Sequence, residues 1–433
     1  MQKLALMAPI AIALSAGQAI AQDTSRTDAR YCGLGVQGSL SDFEQLNPNL
    51  AKIFKTDVAR TAINTKLFDR TKAITQTLNL KSKADGTAAL GLSHVLTSET
   101  IEAPRFVDPR DGKVSYAVSY SFGINTVLFD TNSRQIRAII PAIVIYNEVR
   151  PTAPDANAKA LAFQTIFNGI GVPETAMERW VETMQRLQIR ADDKTYFQVS
   201  PIGLSDEARA QLEGYGKMPG QKPALFVKKL TEQYEALVAA NFAKPIVPVA
   251  MNADGSVASG NQYVASIPDC LGGTGSFTLP DPTYKVRLTV EKLANAAFQH
   301  QLPGSGSTGS ATPYQTEFAY GARLKTELLE FDSLTGEKPI DARTLQFKRS
   351  VRFAGAREVS DYEQFTKLTT NFMGELLQTY ANPQKDWIKE HISASVTDKK
   401  QRDASKIAKE WKALVQGTMQ IRPVAQSDGD DDE

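Results

Sequence analysis

The chain has 433 residues, 49 Lys and Arg against 48 Asp and Glu, and a formal net charge of +1 at pH 7. A balance this close to neutral provides no global field to draw nucleic acid, so nucleic acid is not an expected partner. With 2 cysteines and 3 histidines (His94, His300, His391), no zinc site of the usual spacing can be written, and no metal or other cofactor is expected.

The first element is MQKLALMAPIAIALSAGQAIAQ. Lys3 supplies a short basic start, Leu4 to Leu14 an apolar run, and Ala19-Ile20-Ala21 a small-x-small site, so cleavage is expected between Ala21 and Gln22. The alternative, a buried N-terminal helix, does not call for the Ala-x-Ala. No later apolar run reaches the roughly 20 residues that a membrane helix needs. The expected destination is the periplasm, an oxidising compartment where Cys32 and Cys270 form a disulfide more readily than two separately buried thiols.

"RYCGLGVQGSLSDF" follows, with Gly33, Gly35 and Gly38 in a dinucleotide-like spacing. A phosphate site needs that spacing between a strand and a helix start. The polar residues before it and Pro48 after it favour instead a glycine-rich strand in close backbone packing. A helical stretch spans Asn49 to Leu78. Strands follow in "AALGLSHVLTSETIEA" and "VSYAVSYSFGINTVLF". In the latter, Val114, Tyr116, Val118, Tyr120, Phe122, Ile124 and Leu128 alternate with small or polar residues. The turn "TNSR" returns the chain as "QIRAIIPAIVIYNEV", whose apolar run suggests burial on both faces and whose Pro141 implies a bulge or an edge. A helix capped by Asp155 or Asn157 closes on Asn168-Gly169, and Val172 to Arg190 reads as a second helix linking two halves.

The second half repeats the order. "TYFQVSPIGLSDEA" precedes a helix over Ala224 to Phe242, then come "YKVRLTVEKLANAAFQ", "YQTEFAYGARLKTELLEF", the turn "SLTGEK", and "TLQFKRSVRF". Phe129-Asp130 and Phe331-Asp332 align at an offset of 331 − 129 = 202. Ser360 before Glu363 makes a capping box for the last long helix. The fold class is therefore α+β: a tandem repeat of two similar α/β modules, each a mostly antiparallel sheet with helices on one face. The boundaries are 1–21 for the signal peptide, 22–170 for the first module, 171–193 for the linking helix and 194–392 for the second module. The second module carries an insertion at 245–280, and 393–433 is a C-terminal helix with an acidic tail.

Catalytic motifs are not found. There is no Gly-x-Ser-x-Gly elbow and no Ser-x-x-Lys pair, and no histidine has a motif partner. Asp130 and Asp332 are read as turn openers rather than acid/base groups. The loops 251–262 and 302–313 are flexible by composition. The basic helix bearing Trp387, Trp411 and Lys412 packs through Trp411 and Leu414, or touches an anionic membrane surface peripherally.

The hairpin "LLEFDSLTGEKP" between two strands and ahead of a helix resembles the α/β domains of curli-secretion-type and TolB N-terminal-like envelope proteins. That resemblance implies envelope transport or assembly and no enzymatic activity. It carries over no functional residues, and Cys32 is not placed for lipid attachment. The expected function is a non-enzymatic periplasmic component that binds an envelope protein partner. The alternatives are an exported hydrolase with dispersed carboxylates, which requires a cleft lined by raised-pKa acids, and a solute-binding protein with one ligand-sized pocket between modules.

Overall fold

The computed structural model describes residues 26–54, 57–82, 88–107, 113–187, 195–215, 223–249, 261–301, 314–354, 361–392 and 403–414. The segment read as a signal peptide, with Ala21 and Gln22, the Ser360 cap, residues 302–313, most of the 251–262 loop and the acidic tail lie outside them.

The first half runs β1 (Thr27–Gln37), α1 (Leu40–Leu46), α2 (Pro48–Phe54), α3 (Asp57–Ile74), β2 (Leu78–Lys81), β3 (Leu90–Glu102), β4 (Arg105–Val107), β5 (Val114–Asp130), β6 (Ile136–Arg150), α4 (Ala156–Asn168) and α5 (Ala176–Leu187). The second runs β7 (Phe197–Val199), β8 (Gly203–Leu204), α6 (Asp206–Tyr215), α7 (Pro223–Phe242), β9 (Ile246–Val247), β10 (Gln262–Ile267), α8 (Pro268–Leu271), β11 (Gly273–Thr278), β12 (Tyr284–Gln301), β13 (Tyr314–Asp332), β14 (Gly336–Ala354), α9 (Asp361–Ala381), α10 (Lys385–His391) and α11 (Ala404–Ala413). The fold is α+β, with two sheets.

The first sheet contains the order β2–β1–β3–β5–β6, and the second the order β9–β7–β12–β13–β14. In each, the first three strands are parallel and the last two are added antiparallel. Parallel neighbours require a crossover, which α1–α3 supply in one sheet and α6–α7 in the other. The hairpin turns are built alike. Asp130 Oδ1 accepts the N–H groups of Asn132 (3.0 Å) and Ser133 (2.8 Å). Asp332 Oδ1 accepts those of Leu334 (2.8 Å) and Thr335 (2.9 Å). The Ser133 and Thr335 N–H groups head the causes that hold these carboxyls below their usual range, as expected of turn openers.

The even face of β5 behaves as its alternation requires. Val118, Tyr120, Phe122, Ile124 and Leu128 are buried with Phe163 and Phe167 of α4 and Trp180 of α5. Pro141 sits on β6, which pairs only with β5 among the named strands, so its missing N–H breaks no ladder on the far side. Asp155 caps α4 by accepting the Ala158 N–H at 2.8 Å. Asp155→Ala should lower the unfolding free energy by about 1 kcal/mol, measured by urea titration. The helix expected over 172–190 begins at Ala176, because Glu174 adopts φ 66° and interrupts the helical backbone after Pro173. Met177, Trp180, Val181 and Met184 place that helix in the core of the first module.

Residues 262–278, inside the stretch read as an insertion in the second module, join the first sheet. Strand β10 extends the edge of β1 through Val36↔Ser266 and Gln37↔Ala265. Two glycines of "GLGVQG", Gly33 and Gly35, serve this approach. A Cβ on Gly35 would lie 2.6 Å from Ser266 O, and Gly33 takes φ +76° with Asp269 Oδ2 2.4 Å from where its Cβ would sit. The Cys32–Cys270 disulfide ties β1 to α8, between the two strands of this hairpin. Tyr263, Ile267 and Phe277 then cover the odd face of the sheet, with Phe277 packed edge-on to Phe129 at 4.8 Å.

The second sheet buries one face under α6, α7, α9, α10 and α11. Its other face carries an ion-pair ladder, including Lys285–Glu337 (3.0 Å), Arg287–Glu337 (2.6 Å) and Lys325–Glu327 (3.0 Å). Pairs this exposed contribute little each, so the helical face holds the module together. Trp411 stacks on Tyr380 at 4.2 Å, and its indole N–H donates to Asp341 at 3.2 Å. Asp341 also accepts from Tyr380 (2.7 Å) and Arg343 (2.8 Å). Trp387 donates to Glu375 at 2.8 Å. Both tryptophans are therefore engaged by the second module, and the C-terminal helix packs through Trp411 and Leu414.

Candidate functional site

On the odd face of β5, Ser119, Ser121, Gly123 and Asn125 are small or polar. Their size admits a helix. Helix α7 directs Phe226, Leu230, Tyr234 and Val238, spaced by four, into the core of the second module. Another face of α7 presents Lys228, Thr231, Glu232 and Glu235 toward Thr97, Gly123, Asn125 and Pro141 of the first sheet. Gly123 has no room for a side chain, since its Cβ would lie 2.1 Å from Thr97 Oγ1. The modules are joined here by Ser98 Oγ donating to Glu232 at 2.7 Å and by the Lys229–Glu102 ion pair.

Between these faces is a cavity of about 30 Å³ holding two neighbouring carboxyls. Glu235 is buried and accepts the Val249 N–H at 3.0 Å. Burial pushes its pKa up to about 8; the Val249 hydrogen bond opposes that rise, and the charge of Glu232 adds to it. At pH 7 Glu235 is therefore predominantly neutral. Burial also raises Glu232, against the pull of Lys228, Ser98 and Lys229. Behind Asn125 stands Tyr263 of β10, whose hydroxyl accepts from the Asn125 amide at 3.3 Å. Burial raises that phenol well above its ordinary value.

A pair of raised-pKa acids is the feature that the hydrolase alternative requires. The cavity that holds this pair is small. About 30 Å³ admits roughly one water, whereas small-molecule sites span about 300–1,000 Å³. The Ser98–Glu232 hydrogen bond and the Lys229–Glu102 pair cross between the modules here, beside a protonated Glu235 carboxyl that can donate a hydrogen bond.

The other candidates have separate roles. His94 is fully buried, hydrogen-bonded to Thr71 (2.9 Å) and Thr126 (3.0 Å), and pushed down to about 3 by burial, so it stays neutral. His391 is buried and stacked on Trp387 at 4.2 Å. His300 lies on β12, its side chain outside the described atoms. Neither Glu232 nor Glu235 stands out in the sequence, since acids on an amphipathic helix usually face water. The one available signal was the run of small residues on the odd face of β5.

No family model matches this chain. No curated protein matches it. Among solved structures, a neuraminyllactose-binding hemagglutinin homolog from Helicobacter pylori aligns with 37% of this chain and 90% of its own length, at 11% identity and a TM-score of 0.20. A score that low carries no argument about fold or role. No described helix is long and apolar enough to cross a membrane.

Proposed function

We propose that this protein is a non-enzymatic binding or assembly component of the bacterial cell envelope, acting in the periplasm and recruiting a protein partner by strand addition. One observation carries this reading. The parallel partners of β12 end at Val286 and Val290, so from Leu293 to Gln301 no described strand pairs with that side. The segment Leu293–Gln299 ("LANAAFQ") has no charged residue, and Ala294 to Gln299 are exposed, with Phe298 at 50%. Edge strands are ordinarily guarded by charges and prolines. Strand β14 has Lys338, Pro339, Lys348 and Arg349, and β6 has Pro141, Glu148 and Arg150. The distal part of β12 lacks such guards, as a strand that accepts a partner's strand would.

The disulfide fits an exported chain. The matching strand orders of the two sheets support descent from one duplicated unit. The test is affinity capture from crosslinked envelopes. The full chain should recover a specific partner, and Ala296→Lys with Phe298→Lys should reduce that recovery at least tenfold while leaving the circular dichroism spectrum unchanged. Recovery of the chain alone, or equal recovery by the double variant, would refute strand addition. The hydrolase reading rests on the Glu232–Glu235 pair. It would gain support if the wild type turned over an ester or glycoside panel and Glu235→Gln did not.

A further inference from the structure

Next to the disulfide is a second cavity, of about 450 Å³, on the odd face of the first sheet. Its wall includes Arg30 of β1, Phe129 of β5, Thr131 and Asn132 of the following turn, and Cys270 and Leu271 of α8. Among the described residues Arg30 is the only charged group lining it, and no carboxylate lies on the wall. Nε of Arg30 is buried with no hydrogen-bond partner. The guanidinium is cationic and has further N–H donors beyond that buried nitrogen, and no described carboxylate balances it on this wall. Asp28 does not supply it, being paired with Lys81.

The mouth is fixed in place. Thr131 Oγ1 contacts Ala88 O at 3.2 Å and Ala89 O at 3.0 Å, and the turn backbone is bound to Asp130. The Asn132 side chain stands exposed at the rim. The Phe129 ring and Leu271 add apolar wall. The volume lies in the range of small-molecule sites, about 300–1,000 Å³.

We propose that this cavity binds a small organic anion, with its oxyanion group on the Arg30 guanidinium, the Asn132 amide as a second donor, and an apolar body against Phe129 and Leu271. This inference is independent of strand addition at β12. Isothermal titration of the full mature chain with benzoate, acetate and benzyl alcohol tests it, and phenyl phosphate run in parallel separates carboxylate from phosphate head groups. Benzoate or phenyl phosphate should bind saturably, at least tenfold tighter than acetate, which lacks the body, and than benzyl alcohol, which lacks the charge. Arg30→Gln should weaken that binding at least tenfold. If that variant does not fold, amide shift mapping on the wild type provides the second readout, with benzoate moving residues 129–132 and 270–271. Shifts elsewhere, no saturable response, or equal binding of benzyl alcohol would overturn the proposal.

Discussion

Removing the Cys32–Cys270 bond should destabilise the chain by up to roughly 5 kcal/mol. The two residues are 238 positions apart. In the chain-entropy picture, a loop of that length withholds roughly 5 kcal/mol of freedom from the unfolded ensemble, an upper figure because strain and residual structure subtract from it. The position adds a local consequence. The bond anchors α8, and with it the hairpin whose Tyr263, Ile267 and Phe277 cover Phe129 and Val95. Cys32→Ala with Cys270→Ala avoids placing polar atoms where Cys32 is buried. Calorimetry should show its melting temperature lower by on the order of 10 °C, with the wild type in reductant giving the same value. A shift below about 2 °C would mean that side-chain packing alone retains the hairpin.

Glu235 should make stability fall as pH rises. Its folded pKa is about 8 against an ordinary value of 4.5. Between those values the folded state holds a proton that the unfolded state has released, so the slope of unfolding free energy with pH is negative. The stabilising proton is fully present below about pH 4.5 and is lost as pH rises through 8. At about 1.4 kcal/mol per pH unit, the total is a few kcal/mol. Glu235→Gln keeps an acceptor for the Val249 N–H and removes the titration. Denaturant midpoints measured from pH 5 to 9 should decline for the wild type and run flatter for the variant, which becomes the more stable of the two at pH 9. Parallel curves would show that Glu235 is already ionised at neutral pH. Because α7 joins the modules, the same rise in pH should speed amide exchange along α7 before it affects α4.

Much of the fold was legible because its signals are local. The even-position alternation in β5, the Asp155 cap, the Asp130 and Asp332 turns and the edge position of Pro141 each follow from backbone geometry over a few residues. The disulfide was legible too, since an oxidising compartment, expected from the N-terminal segment, and a count of two leave one pairing. The start of α5 was not, because the left-handed Glu174 is a property of the fold around it. The fate of residues 262–278 was also hidden. Read along the chain they interrupt the second module, yet their hydrogen bonds go to β1, more than 200 positions earlier.

The two cavities mark the same division. The sequence by itself determined where strands and helices form, which face of each strand is large and apolar, and which residues turn the chain, since these depend on periodicity and on side chains bonding their own backbone. Only the tertiary structure decided what lies over the small-residue face of β5, because a Gly or Ser there is equally at home against water or against a helix. The approach of α7 and of the 262–278 hairpin turned that face into an interior. It buried Glu235 beside Glu232 and brought Asn125 to Tyr263 across 138 positions. The same closure set Arg30 on the wall of the second cavity. Burial of charge is a property of where distant segments meet, and the chain expresses it only when folded.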